Sequence, residues 1–304
     1  MTIHGGTQIY NLSNAASNQD LSLLSIILLT KNEETNLPAT LTSLRELDAE
    51  IFVVDSGSTD RTVAVAQQAG CQVFEHSWEN YAKQLNWALD NLPITTPWIM
   101  RLDADERLTP ELVEELKQVL SQTPEDITGY QVKRRVFFMG RWIRHGGYYP
   151  TWLLRIWRTG VGTCEQRCMD EHVVLSRGKT ANLQHDIIDE NHKGLSFWTD
   201  KHNHYADREV KDLLSAMSDA SDDLLKGGQL SQASRRRWVK TNLYARSPLF
   251  FRAFLYFLMR YTIGLGFLDG IEGLIFHLLQ GFWYRFLVYA KIYETRRHTK
   301  FANE

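Results

Sequence analysis

An open α/β sheet of mostly parallel strands flanked by helices is predicted, followed by a C-terminal helical region. Three observations predict it. Short apolar runs alternate with helical patterns from Leu23 to Leu120, the order that parallel βαβ units produce. The runs are continuous rather than alternating, as in strands buried on both faces. Three of them end in polar residues, at Thr30, Asp55 and Asp103. Ligands in open α/β sheets sit beyond the carboxyl ends of the strands, so these three ends point to one site.

The elements follow in order. Residues 1–20 are polar, lack a basic-then-apolar signal segment, and read as a loose tail. Leu23 to Leu29 is the first strand, ending in Thr30-Lys31-Asn32-Glu33-Glu34. Leu37, Leu41, Leu44 and Leu47 then recur at helical spacing. Ile51 to Val54 is the second strand, ending in Asp55-Ser56-Gly57-Ser58-Thr59-Asp60. Thr59 or Asp60 can cap the next helix, and Gly70 stops it. Cys71 to Phe74, Tyr81 to Leu89 and Trp98 to Leu102 read as strand, helix and strand. Thr109-Pro110 opens another helix.

The most informative stretch is Asp103-Ala104-Asp105-Glu106. If the strand continues, Asp103 and Asp105 share a face and converge on one point. Two hard oxygen donors at a strand end suit Mg²⁺ or Mn²⁺, whose shell is completed by water and phosphate. A solvated acidic turn is the bland alternative. A dinucleotide fold or P-loop would need glycine directly after the first strand, and Thr30 to Glu34 contains none.

Composition bounds the rest. The net charge of −2 gives no general affinity for nucleic acid. Three cysteines, Cys71, Cys164 and Cys168, are too few for a disulfide scaffold and suit a reducing, cytoplasmic compartment.

Three stretches, Thr30-x-Asn32-Glu33-Glu34, Val53-Val54-Asp55-x-Gly57-Ser58-x-Asp60 and Leu102-Asp103-Ala104-Asp105-Glu106, occur in that order. From Ser25 to about Leu120 the chain resembles the donor half of a glycosyltransferase family 2 enzyme, with the A-type (nucleotide-diphospho-sugar transferase) fold. The resemblance implies that Thr30 and Glu33 border the nucleotide base, that Asn32 between them is donor-binding, and that Asp55 accepts a hydrogen bond from the base. It implies that Asp103 faces the ribose and Asp105 ligates the divalent cation bridging the diphosphate. Such a cation would neutralise the departing diphosphate. Lys31 departs from the tyrosine that many members carry.

Residues 129–178 are dense in aromatics and arginines, Trp142 and Arg155 among them. Half of these residues suffice to pack a strand-and-loop layer. The others, with Trp142 and Arg155 as candidates, can form an acceptor site, since aromatic faces stack on sugars and arginine takes phosphate. His145-Gly146-Gly147-Tyr148 reads as a mobile turn beside it. The resembled family places its base in an acid downstream of the Asp-x-Asp motif, which points to Glu171, with Asp170 second. The pair can equally bridge to the arginines. Cys164, Cys168 and His172 lack usual zinc spacing and a fourth ligand.

A long helix is predicted from Asp200 to about Leu225, and its Lys201 and His202 can meet a phosphate or simply be exposed. The tail from Pro248 to Glu294 shows broad apolar faces broken by charges, with Arg235-Arg236-Arg237 and Arg296-Arg297 flanking them. That pattern fits interfacial helices on an anionic membrane, or a plain helical cap. Leu265-Gly266-Phe267-Leu268-Asp269-Gly270 resembles the tail of lipopolysaccharide-core glucosyltransferases.

These readings divide the chain into a catalytic domain at 21–195, with a donor half 21–125 and an acceptor half 126–195, and a helical membrane-associating region at 196–304. The expected activity is inverting, metal-assisted transfer of a sugar from a UDP-sugar to an envelope glycolipid or saccharide, at the inner face of the cytoplasmic membrane. Transfer to polyprenyl phosphate is the alternative acceptor reading. A non-catalytic membrane-surface protein with the same fold is the alternative of another class.

Overall fold

The computed structural model describes residues 22–165, 172–225 and 249–301. Strand β1 (Leu24–Thr30) lies between β2 (Ala49–Asp55) and β4 (Trp98–Asp103), and β3 (Gln72–Glu75) extends beyond β2. All three pairings are parallel. Alternation sorts the side chains of β1. Leu24, Ile26 and Leu28 join one core with Val53, Met100 and Leu102, and Ile27 joins a second with Phe52, Val54 and Ile99. Helices α1 (Leu37–Ser43), α2 (Thr62–Gln68) and α4 (Pro110–Gln122) supply the first core, and α3 (Tyr81–Asn91) the second. Burial on both faces is why these strands read as unbroken apolar runs.

The helix signals have physical counterparts. The Thr109 hydroxyl accepts the Leu112 N–H at 3.2 Å, with Pro110 opening α4. Asp60 accepts the Thr62 N–H at 3.0 Å where α2 begins. Gly70, at φ +81°, follows the end of α2.

Beyond β4 the sheet becomes mixed. Strand β8 (Trp152–Arg158) runs antiparallel to both β4 and β6 (Ile127–Phe138). Strand β11 (Lys179–Glu190) lies parallel to β6 and antiparallel to β5 (Glu106–Leu108). β7 (Arg141–Ile143) returns along β6 after a tight turn, with Met139 and Gly140 both at positive φ. The main order is β3-β2-β1-β4-β8-β6-β11-β5. Parallel pairing thus dominates the first half only. Apart from β11, which lies parallel to β6, the later strands reverse through hairpins and loops, where no crossover helix is needed. β9 (Gly162–Cys164) and β10 (Val173–Leu175) form a separate antiparallel pair.

The C-terminal region is helical. Helix α5 runs from Gly194 to Leu225, six residues earlier at its start than the sequence suggests. Then come α6 (Leu249–Leu258), a π-helical turn at Met259–Ile263, a 3-10 turn at Gly266–Asp269 and α7 (Gly270–Phe276). A second π-helical turn at His277–Trp283 leads into α8 (Tyr284–Phe301). Helices α5 and α8 pack through Ala206, Val210, Tyr284, Val288 and Ile292.

The turn at His145–Tyr148 is anchored, contrary to its reading as a mobile turn. Asp269 is 2% exposed and accepts the His145 N–H at 2.9 Å, while its other oxygen meets His145 Nδ1 at 2.6 Å. The Gly146 N–H donates to the Gly264 carbonyl at 2.7 Å. His277, wholly buried, fills the space between Gly146 and Gly266; a Cβ on Gly146 would stand 2.1 Å from its ring. Burial drives the His277 imidazole down to about 4, and nearby Asp269 only partly offsets this.

His277 therefore folds as the neutral ring. Its folded pKa lies below the unfolded value, so the folded state binds fewer protons between the two. Its contribution should be complete above about pH 6.5 and decline as pH falls toward about 4. Urea denaturation across that window should show the decline, and a His277→Leu variant should show a shallower one.

Candidate active site

The strand ends are tied together before any ligand is considered. The Thr30 hydroxyl donates to Asp55 Oδ1 at 2.9 Å. Asp55 also accepts the Ser58 N–H at 2.7 Å and the Ser58 hydroxyl at 2.6 Å. Asn32 adopts φ +55° and accepts the Thr59 N–H at 2.8 Å, joining the loops after β1 and β2. Lys31 contributes to the same joint, donating to the Ser56 carbonyl at 2.8 Å. Glu33 meets Lys193 at 2.6 Å and accepts from Asn36 at 2.8 Å.

The Asp103–Asp105 stretch is a strand end followed by a turn. Asp103 closes β4, whereas Asp105 lies in the turn before β5. A continued strand therefore does not explain their convergence; internal bonds do. Glu106, 1% exposed, accepts the Asp103 N–H at 3.1 Å and folds the turn back. Thr40 on α1 donates to the Ala104 carbonyl at 2.7 Å. Asp105 accepts the Glu190 N–H through its carbonyl at 3.0 Å and the Asn191 amide through Oδ2 at 2.9 Å.

Arg155 lies beneath this turn. It is 3% exposed, donates to Asp103 at 3.1 Å and ion-pairs with Glu106. Arg101 flanks Asp103 at 3.3 Å and stacks over Tyr81. Burial opposes ionisation of Asp103, but the Arg101 and Arg155 guanidinium groups outweigh it and hold the carboxyl well below the usual range.

Above the turn opens a cavity of about 620 Å³, a size suited to a small ligand. Asp103, Asp105 and Asp189 line it, as do Lys201 and His202 from α5. Burial disfavours the Lys201 ammonium, but Asp105 and Asp189 more than restore it and keep it charged. His202 is pushed the other way, chiefly by burial. Its ring stacks on Trp198 at 3.5 Å and meets the Trp198 carbonyl at 2.8 Å, so it is a neutral wall group. Phe138, Tyr148, Trp198 and Phe276 add aromatic surface.

Not all the sequence candidates meet there: Thr30, Asn32, Glu33 and Asp55 do not line the cavity. Arg155 is committed to the buried ion cluster, which removes it from acceptor binding. Trp142 lies on β7 between Arg135 and Arg144, edge-on to Tyr149, and does not line the cavity. Asp170 and Glu171 lie outside the described residues.

Residues 25–172 match the family model described as glycosyl transferase family 2. This stretch is a glycosyl transferase family 2 domain. A lipopolysaccharide core biosynthesis glycosyltransferase, LpsC of Rhizobium meliloti, is 34% identical over 171 residues, 53% of this chain and 60% of that protein. An uncharacterised glycosyltransferase of Rickettsia conorii is 35% identical over 111 residues, 36% of this chain and 39% of that protein. The chain thus spans about two fifths to three fifths of the length of these curated relatives. Among solved structures, Staphylococcus aureus TarS with UDP-GlcNAc overlaps 61% of this chain and 66% of that one, at 15% identity and TM-score 0.43. Glucosyl-3-phosphoglycerate synthase of Mycobacterium tuberculosis with Mn²⁺ and UDP overlaps 38% and 45%, at 23% identity and TM-score 0.32.

The family 2 domain ends before several residues that complete its cavity. Asp189 near the end of β11, and Asn191 and His192 after it, line the cavity, and Lys193 follows them. They reach back to Asp105, Asn36 and Glu33, with the His192 N–H donating to Asn36 at 2.8 Å. Burial and the nearby Asp105 charge push the Asp189 carboxyl up to about 6. Ile187-Ile188-Asp189-Glu190 carries the same signal as β4, an apolar strand ending in acid. That signal was the available clue.

Removing Arg155 should unseat the acidic turn of the family 2 domain. Arg155→Met leaves Glu106 buried without its cation, which typically costs about 3–5 kcal/mol. Urea denaturation should show that loss, and Arg155→Met/Glu106→Gln should recover part of it. Because Asp103 is held low, its stabilising contribution is complete above about pH 4 and is lost as pH falls further.

Proposed function

We propose that the chain is an inverting glycosyltransferase that moves a sugar from a UDP-sugar to an envelope glycolipid or saccharide. One observation carries the reading: the Asp103–Asp105 turn, at the carboxyl end of the parallel unit, borders a cavity that Lys201 and several aromatic rings also line. The family 2 domain supports the transferase class. The name of the LpsC relative supports an envelope acceptor.

The donor set suits a divalent cation. Asp105 offers hard oxygen at the cavity, and only Asn191 is recorded as its side-chain partner among the described residues. Among those residues no group of three or more potential ligands could hold a metal ion by itself. When bound, Mg²⁺ or Mn²⁺ would neutralise charge on the diphosphate. The protein's own contribution is positional. The loops at Thr30–Glu33 and Asp55–Ser58 would border the base, Asp103 would face the ribose, and Lys201 would meet a phosphoryl oxygen. Glu171, with Asp170 as the second candidate, would take the proton of the acceptor hydroxyl.

Asp105→Asn should abolish the extra thermal stabilisation that Mn²⁺ adds to UDP-sugar binding. Ligand at a hundredfold over its Kd stabilises by about 2.7 kcal/mol, a readily measured shift. Equal Mn²⁺-dependent shifts in wild type and variant would remove Asp105 from metal binding. No UDP-sugar stabilising the wild type would sink the donor assignment.

Glu171→Gln should lower kcat by roughly 10²–10⁴ and leave donor affinity intact, because a base acts in the chemical step. Single-turnover transfer with parallel donor titration separates the two effects. Dead Asp170→Asn with active Glu171→Gln would reverse the roles of the pair. Activity in both would place the base elsewhere in the cavity.

A further inference from the structure

The acidic residues that line the cavity, Asp103, Asp105, Asp189 and Glu190, are not equivalent. Asp103 is paired with Arg101 at 3.3 Å and with Arg155 at 3.1 Å. Asp189 is paired with Arg134 at 3.3 Å, and Glu190 with Arg107. Asp105 differs. Among the described residues its carboxylate has a side-chain hydrogen bond from the neutral amide of Asn191, at 2.9 Å, and no ion pair. Asp105 helps to sustain the Lys201 charge, but the two form no ion pair.

The Asn191 amide can face Asp105 in only one way. Its Oδ1 accepts the Lys193 N–H at 3.0 Å, so the oxygen is turned to the backbone and the NH2 group to the carboxylate. Both neighbours require this, because a backbone N–H only donates and an ionised carboxylate only accepts. The same segment holds the Asp105 backbone, whose carbonyl accepts the Glu190 N–H at 3.0 Å. The segment is itself anchored, by the His192 N–H to Asn36 at 2.8 Å and by Lys193 to Glu33 at 2.6 Å. Asn191 is therefore mounted on backbone that is fixed on both sides.

A guanidinium and an amide do different things to a carboxylate. Arginine fixes its orientation and also cancels its charge, as at Asp103. An amide fixes the orientation and leaves the charge nearly whole. The Asn191 bond engages Oδ2 of Asp105 and leaves Oδ1 to another partner. A hard divalent cation takes uncompensated carboxylate oxygen, and its affinity depends on the groups that orient its ligands.

We propose that Asn191 is a positioning residue for the cation: it aims the Asp105 carboxylate and leaves the charge of that group to Mg²⁺ or Mn²⁺. The proposal deepens the reading of Asp105 as a metal ligand and rests on it.

Mn²⁺ titration of the full chain at fixed UDP, read as a thermal shift, tests this role. Asn191→Ala should raise the Mn²⁺ concentration at half-maximal response by about 10–100-fold, the usual loss when a group that orients a metal ligand is removed. UDP binding in EDTA should stay as in wild type. Asn191→Ser separates positioning from local folding. Its hydroxyl can accept the Lys193 N–H, since serine forms the same turn more weakly, but it is too short to hold Asp105. It should therefore lose the Mn²⁺ response as Asn191→Ala does. The proposal is overturned if either variant keeps the wild-type Mn²⁺ response, or if UDP binding in EDTA falls by the same factor. Asp105→Asn, titrated alongside, tells the two failures apart. A response lost in Asp105→Asn and kept in both Asn191 variants removes only the positioning role. A wild-type response in Asp105→Asn, or no Mn²⁺ response in wild type, removes the metal reading and this proposal with it.

Discussion

The geometry of the site depends on one buried ion cluster. Arg155 reaches from β8 to Glu106 and Asp103, and all three side chains belong to the turn or its floor. Without that guanidinium, the carboxylates would repel each other in a region of low polarity. With it, Asp103 stays ionised and Glu106 can take the Asp103 N–H that folds the turn. The antiparallel half of the sheet is therefore part of the candidate site. It brings the counter-charge under a turn that the parallel half presents.

A second set of contacts sets the width of the site. The segment after β11 bonds to Asp105 through Asn191, to Asn36 through His192 and to Glu33 through Lys193. Loops after β1 and β4 are thereby spaced by a third strand end. Asp55 is likewise occupied by Thr30 and Ser58. Polar groups already held in place need little reorganisation when a charged ligand arrives. Lys201 faces this arrangement from α5, with its charge sustained by Asp105 and Asp189.

The C-terminal helices complete the other wall. Phe276 reaches the cavity, and the neighbouring residue His277 is buried between two glycines. Among the described residues neither ring nitrogen of His277 has a hydrogen-bond partner, so a neutral imidazole is the form that can be buried there. The His145–Asp269 contact then joins this helical unit to the loop between β7 and β8. The cavity wall and the close-packed bend at Gly264–Gly266 share one support.

What the sequence by itself determined was local. Apolar runs in β1, β2 and β4 follow from burial on both faces, and the polar ends at Thr30, Asp55 and Asp103 follow from where such strands open. Thr109-Pro110 and Gly70 mark helix ends through backbone chemistry that needs no distant partner. Tertiary structure decided the rest. Arg155 has the composition of an anion-binding residue, yet β4–β8 pairing places it under Asp103. Trp142 looks like a stacking platform, yet the β6–β7 hairpin sets it among arginines. His145-Gly146-Gly147 has the glycines of a flexible turn, but those glycines leave room for a ring and a neighbouring backbone supplied more than a hundred residues later. Strand pairing, charge pairing across the sheet and close approach at glycine are long-range terms. Residue type and spacing do not reveal them because the partner's position is set by the fold.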